Sequence, residues 1–383
     1  MTRVLTYLDI DPQQWQALVD RSPYATWFQT KEAYEFYASL PDEMTPFAVG
    51  VVEDVECKAE SVKCNGEEDG KADTPASTLY TLHPTQTDEV STPYTLHPTP
   101  TLKGVIVGYI TRERNALKQF FTRRAIIIGG PLLDEHISNE ALSALLGAVA
   151  PASRLSPFAS RPIYIESRNF HDYSKWRNIF EANGFAYQPH LNFHVDTSSV
   201  EVVDKNLGKS RKRDIRTTIR DGVTPVYQPT IDQVKEYYQI LLNLYTTKVK
   251  TPLFSWNFFE QLHRTEHARF ILTEYQGRII GGTVCVELPS KALYEWFACG
   301  EDGVYDHIYP SCYATYLGIK FAAESGCQIF DMMGAGKPDE TYGVRDFKAK
   351  FGGALVEHGR FLCIRKPLLY WIGKIGVKFL KMR

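Results

Sequence analysis

The stretch "ARFILTEYQGRIIGGTVCVELPSKALYEWFACG", residues 268 to 300, reads as three strands in succession. Each run is crowded with β-branched and aromatic residues. After it, "SCYATYLGIKFAAESG" (311 to 326) reads as a helix, "QIFDMMG" (328 to 334) as a strand and "GRFLCIR" (359 to 365) as a late strand. Strands and helices mixed in this order predict a mixed α/β sheet rather than a bundle or a sandwich.

Working outward, the first half has the same rhythm. Helices over 11 to 22 and 30 to 40 precede strands "PFAVGVVED" (46 to 54) and "KGVIVGYIT" (103 to 111). Asp11 and Pro12 form an N-cap and first-turn pair. Strand "RAIIIGGP", a helix over 138 to 153, strand "PIYIES", a helix over 172 to 184 that ends at Gly184, and strand "NFHVDT" follow. The economical division is an α/β domain over 1–198, a second over 199–365 and a basic amphipathic helix over 366–383, with a cleft between the domains as the default site. Residues 55–102 interrupt the first domain. They are polar, rich in Thr and Pro, and contain "YTLHPT" twice, so they read as a flexible insertion between two paired strands.

The net charge of -2 rules out whole-molecule attraction to nucleic acid, so a polyanion must be met by a local basic patch. The seven cysteines are scattered, with no CxxC, and fit reduced thiols in a cytoplasmic setting. The ten histidines form no constellation by spacing, and His263 with His267 is not a zinc motif, so no metal is expected. "MTRVLTYLDIDPQQW" has charges where a signal peptide needs an apolar run, and no apolar run reaches the length of a membrane span.

Three stretches can carry chemistry. Across 205 to 221 seven cations face only Asp214 and Asp221, on a helix whose apolar residues keep to one stripe. Its arginines suit phosphate oxygens, and Arg211, Arg213 and Arg216 are the candidate ligands; a merely solvated face is the alternative. "QIFDMMGAG" ends a strand in Asp331 and two glycines, either a site loop or a turn capped by Asp331. In "YGVRDFKAKFGG" (342 to 353), Phe347 and Phe351 pack one helical turn inward and the glycines end it, which leaves Lys348 presented to a substrate. Trp296 and Tyr342 are further candidate cleft residues.

The ordered pieces "KNLGKSRKRDIRTTIRDGV", "GRIIGGTVCV", "YEWFACG", "GCQIFDMMGAG" and "YGVRDFKAKFGG" resemble the landmarks of the FemABX peptidyltransferases. "FEANGF" and "IIIGGPLL" resemble the GNAT counterparts in the first half. The strongest marker is FK-x-x-FG, held by Phe347, Lys348, Phe351 and Gly352. The resemblance implies two tandem GNAT-like acyltransferase domains, and an amide-forming acyltransferase that joins an activated acyl or aminoacyl donor to an amine on a peptidoglycan-type precursor. It implies acyl-CoA or aminoacyl-tRNA as donor cosubstrate, with no bound cofactor. By resemblance Lys348 would be catalytic; the residue reading adds Asp331 as a catalytic candidate and Arg211, Arg213, Arg216, Trp296, Tyr342 and Phe347 as substrate-binding candidates. The chain departs from long members in having no room for their helical arm between Asp221 and Ala268. An acyl-CoA-dependent N-acyltransferase acting on a sugar or small amine, and a non-catalytic phospho-ligand-binding protein, stay open. The lysine-flanked apolar stripe Leu368, Ile372, Ile375 and Phe379 implies either peripheral contact with the inner face of a membrane or packing on the domain.

Overall fold

The computed structural model describes residues 2–54, 100–113, 120, 122–149 and 162–381, with side-chain surroundings as far as Ile375 in the last helix. The first, eight-stranded sheet takes β1 (Thr2–Thr6), β2 (Met44–Glu53), β3 (Thr101–Thr111), β4 (Arg124–Gly129), β5 (Leu132–Leu133), β6 (Tyr164–Asn169) and β7 (Ala186–Gln188). The second, seven-stranded sheet takes β8 (Leu191–Asp196), β9 (Thr224–Val226), β10 (Ala268–Tyr275), β11 (Arg278–Leu288), β12 (Ala292–Gly300), β13 (Ile329–Gly334) and β14 (Ala354–Glu357). The eighth strand of the first sheet is β15 (Arg360–Ile364), which comes from the far end of the chain and lies between β6 and β7.

The sheets therefore do not part at residue 198. β8 precedes that point yet joins the second sheet, because Leu191, Phe193 and Val195 belong to the second core. β15 returns to the first, where the Phe361 ring stacks on Phe180 at 3.9 Å. β2 and β3 pair antiparallel from Glu53↔Thr101 to Met44↔Thr111, so the insertion leaves and re-enters at one end of a hairpin. Residues 55–99, with both "YTLHPT" copies, lie outside the described residues, and Thr101 and Leu102 already belong to β3.

Helices α1 (Pro12–Arg21), α2 (Lys31–Ala38), α3 (Asn139–Val149) and α4 (Arg177–Ala182) accompany the first sheet. Asp11 caps α1 as read, accepting from the Gln14 N–H at 2.8 Å. With the second sheet come α5 (Val200–Asn206), α6 (Lys209–Arg220), α7 (Ile231–Leu244), α8 (Trp256–His263) and α9 (Pro310–Glu324), then α10 (Gly343–Ala349) and α11 (Pro367–Lys381). The helix expected across residues 205 to 221 is the end of one helix and all of another, α5 and α6, broken at Leu207 and Gly208.

One aromatic seam joins the two sheets. The buried Phe28 ring lies 5.0 Å from Trp296, 5.7 Å from Tyr294 and 5.7 Å from Phe170, while Phe36 lies 5.1 Å from Phe258. Beside it, Lys291 Nζ donates to the Val19, Asp20 and Ser22 carbonyls at 2.8, 2.9 and 3.1 Å, where α1 ends and its own carbonyls lack partners. Burial of aromatic area on this scale makes the halves cooperative. Replacing Phe28 by Ala is expected to cost about 3–5 kcal/mol in urea unfolding, with circular dichroism and tryptophan fluorescence still reporting one transition. Two separated transitions in the native chain would contradict a shared core.

Candidate active site

Parallel pairing between β12 and β13 runs through Ala292↔Ile329, Leu293↔Phe330 and Tyr294↔Asp331, and ends there. Both strands become irregular at the same level. On β12, Glu295 and Phe297 oppose Cys285 and Val284, so Trp296 is an inserted residue. On β13, Asp331 and Gly334 oppose His194 and Asn192, leaving Met332 and Met333 against Phe193 alone. Met333 sits at φ 57°, and Asp331 Oδ1 holds its N–H at 2.6 Å. Asp331 thus caps the bulge, one of the two roles its sequence position allowed. Bulges bend strands and re-aim side chains; two of them side by side end the ladder between β12 and β13.

Lys348 occupies that break. From α10 its Nζ donates to the Met332 carbonyl and, at 2.9 Å, to the Gly334 carbonyl. It is buried, and burial lowers its pKa, with Glu295 and Asp331 opposing the shift. Glu295 is buried on the β12 side. Burial raises its pKa against the pull of Lys348 and of bonds from Thr315 Oγ1 at 3.0 Å and Thr283 Oγ1 at 3.3 Å. The sequence placed Lys348 between two anchoring rings; in the fold its ammonium turns under the end of β13, where it donates to carbonyls that the splayed strands leave free.

The basic helix and the FK turn form one unit. Arg211, expected to meet a ligand, is buried, with its guanidinium 4.4 Å from the Phe347 ring and 5.1 Å from the Phe351 ring and Nη1 3.4 Å from Asp214 Oδ2. Its role is packing, because α6 lies against α10 on this face. The break between α5 and α6 permits that approach. The Gly208 N–H donates to the Lys350 carbonyl at 3.0 Å, and a Cβ at Gly208 would stand 2.9 Å from that oxygen. Gly352, at φ 82°, passes so close to the Asn206 carbonyl that a Cβ would stand 2.2 Å away. Phe347 is half-buried in this stack. Tyr342 is exposed and lies over Gly336, and Trp296 is half-buried in the aromatic seam.

Arg213 and Arg216 face outward. With Lys209, Lys212, Thr217 and Arg220 they line a concavity of about 400 Å³ on the outer side of α6. Arg213 Nη2 meets Asp214 Oδ1 at 2.9 Å and Arg220 Nε meets Asp221 Oδ1 at 2.7 Å, so two cations of this face are partly neutralised.

On the other side of β13 the fold assembles histidines that spacing did not connect. Asp331↔His194 is a cross-strand pair, with His194 Nε2 3.2 Å from Asp331 Oδ2. The His358 ring lies 5.1 Å from that of His194, and His171 is within electrostatic reach of both. The sequence signal would have been the register of β8 on β13, which only the fold supplies. Burial pushes the His194 pKa down, but the Asp331 carboxylate more than offsets this and leaves it above the ordinary value. His171, whose Nε2 is 3.3 Å from the Ala25 carbonyl, is lowered to about 4, chiefly by burial. Among the described residues no group of histidines, cysteines and carboxylates is arranged to hold a metal ion.

The segment that carries the splayed strands and the FK turn has a counterpart in a known family. Residues 257–376 match the FemAB family. The crystal structure of FemX shares the fold with a TM-score of 0.64 at 14% identity, covering 97% of this chain and 100% of that one. A conserved protein of unknown function from Bacteroides thetaiotaomicron has a TM-score of 0.50 at 8% identity, over 94% of this chain and 99% of that one. L-PGS from Bacillus licheniformis has a TM-score of 0.48 at 14% identity, over 71% and 85%. No curated protein matches the chain. The expected mixed α/β fold stands, and the segment that matches the FemAB family holds β10 to β15, Lys348 and Asp331.

The histidines make the site acid-sensitive. Unfolded, His171 takes a proton near 6.5; folded, only near 4, so its stabilising contribution is complete above 6.5 and is lost as pH falls toward 4. About 2–3 kcal/mol of stability should disappear between about pH 7 and pH 4.5 from this residue. Urea midpoints measured across that range should fall less steeply in His171→Gln; an identical profile would contradict the assignment.

Proposed function

We propose that this chain is an acyltransferase of the FemAB type, forming an amide between an activated acyl or aminoacyl donor and an amine on a cell-envelope precursor of the peptidoglycan kind. The observation that carries the reading is the position of Lys348: the lysine of FK-x-x-FG, inside the FemAB segment, is fixed at the break between β12 and β13. In the reaction the amine nitrogen attacks the donor carbonyl carbon, a C–N bond forms and the carbonyl π pair moves to oxygen. The adduct then re-forms the carbonyl and expels the ester oxygen of an aminoacyl-tRNA or the sulfur of an acyl-CoA with the bonding pair. The proton lost by the amine ends on the leaving group.

Negative charge that develops on the carbonyl oxygen is stabilised best by a donor that does not have to reorganise. Two of the three ammonium protons of Lys348 are committed to the Met332 and Gly334 carbonyls, which fixes the direction of the third. Asp331 is a positioning residue: one carboxylate oxygen holds the Met333 N–H in the bulge, and the other lies 3.2 Å from His194 Nε2. Arg213 and Arg216, on the open basic face of α6, suit the phosphates that both donor classes carry. Tyr342 and Trp296 border the same strand ends.

The test is transfer of labelled acyl groups from acyl-CoAs and from aminoacyl-tRNAs to envelope precursors. Product is expected with one donor class, and Lys348→Ala is expected to lower turnover about 10²–10³-fold. Lys348→Arg should not restore it, because a guanidinium is too wide for the buried slot. Turnover of Lys348→Ala within twofold of the native chain, or no product from either donor class, would overturn the reading.

A further inference from the structure

α11 carries its apolar stripe on the outside. Leu368, Trp371 and Ile372 are 71%, 62% and 40% exposed, although they are the residues a packed amphipathic helix would turn inward. The opposite face holds the helix in place: the Tyr370 ring meets Tyr164 of β6 edge-on at 5.2 Å, and the Arg365 and Lys366 N–H groups donate to the Ile163 carbonyl at 2.9 and 3.0 Å. The stripe is therefore presented by a docked helix.

The described residues flanking it are basic: from 365 to 375 the chain has Arg365, Lys366 and Lys374 and no Asp or Glu. The fold adds the start of β4. The Arg123 carbonyl accepts the Ile163 N–H at 2.9 Å, and the exposed Arg124 reaches Tyr164 Oη with Nη1 at 3.4 Å. The acidic neighbour Glu166 lies beneath, engaged by Arg168 at 3.0 Å and Arg360 at 2.6 Å, and does not offset this face.

We infer that α11 and the adjoining cations of β4 form a docking surface for an anionic phospholipid bilayer. The helix has 15 residues, hence is ~22 Å long, too short to cross a hydrocarbon core of ~30 Å. No described helix is long and apolar enough to span a membrane. It would lie in the interfacial plane, with Leu368, Trp371 and Ile372 among the acyl chains and the lysines and arginines at the headgroups. A second copy of the chain fits less well, since apposing two such stripes would bring two cation-rich helices together without countercharge. The inference does not depend on the transfer reaction.

The experiment is flotation of the full chain with phosphatidylcholine vesicles, with and without phosphatidylglycerol, at low and high salt. Binding is expected only with phosphatidylglycerol and should weaken in salt. It should fall about tenfold or more in Leu368→Ala/Trp371→Ala and in Lys366→Glu/Lys374→Glu, with melting temperatures unchanged. Leu368, Trp371 and Lys374 are exposed and Lys366 is half-buried, with Lys374 reaching the docked Tyr370 ring at 5.5 Å, so both variants should fold. No flotation, equal flotation of native chain and variants, or a concentration-dependent dimer broken by the apolar substitutions without vesicle binding would each overturn the proposal.

Discussion

The contact between the Lys348 ammonium and the carbonyls of Met332 and Gly334 is the constraint on which the second domain depends. Two bulges on adjoining strands leave β12 and β13 without a common ladder just where β13 ends. Buried carbonyls without donors are costly, and a neighbouring strand cannot serve them once the bulges have bent it away. A donor must come from another element. α10 supplies it, and α10 is itself held by Arg211 on Phe347 and Phe351 and by backbone approaches that admit only glycine at 208 and 352. Within "YGVRDFKAKFGG", Phe347, Lys348, Phe351 and Gly352 each have a partner, and the break between α5 and α6 is what lets Arg211 and Asn206 reach them.

Much of this was legible in the sequence. The helix-strand rhythm is local, and the elements it marked are present; so are the Asp11 cap and the turn that Phe347 and Phe351 anchor. What escaped was non-local. A five-residue strand such as Arg360–Ile364 carries no mark of the sheet it will join, and its return to the first sheet beside β6 follows from long-range packing of Phe361 on Phe180. Arg211 was indistinguishable from Arg213 in a run of cations, because the difference lies in which side of α6 meets α10. The histidines around Asp331 come from separate strands and turns, and only the register of β8 on β13 brings them together.

Charge is divided by depth. The buried groups Lys348, Glu295 and Asp331 lie where the pairing of β12 and β13 ends, with the half-buried His194 beside Asp331, and low polarity there makes each interaction strong and each unpaired group expensive. The exposed cations gather on α6 and around α11, in a protein whose net charge is only -2. Both faces would be weakened by salt, whereas the buried set would not.

Hydrogen exchange in the native chain and in Lys348→Met tests the central claim most directly. If Lys348 carries the end of β13, the amides of residues 332 to 336 lose protection in the variant while those of β10 and β11 keep it. Unchanged protection at 332 to 336 would show that the strand end stands without the lysine, and the account would fail.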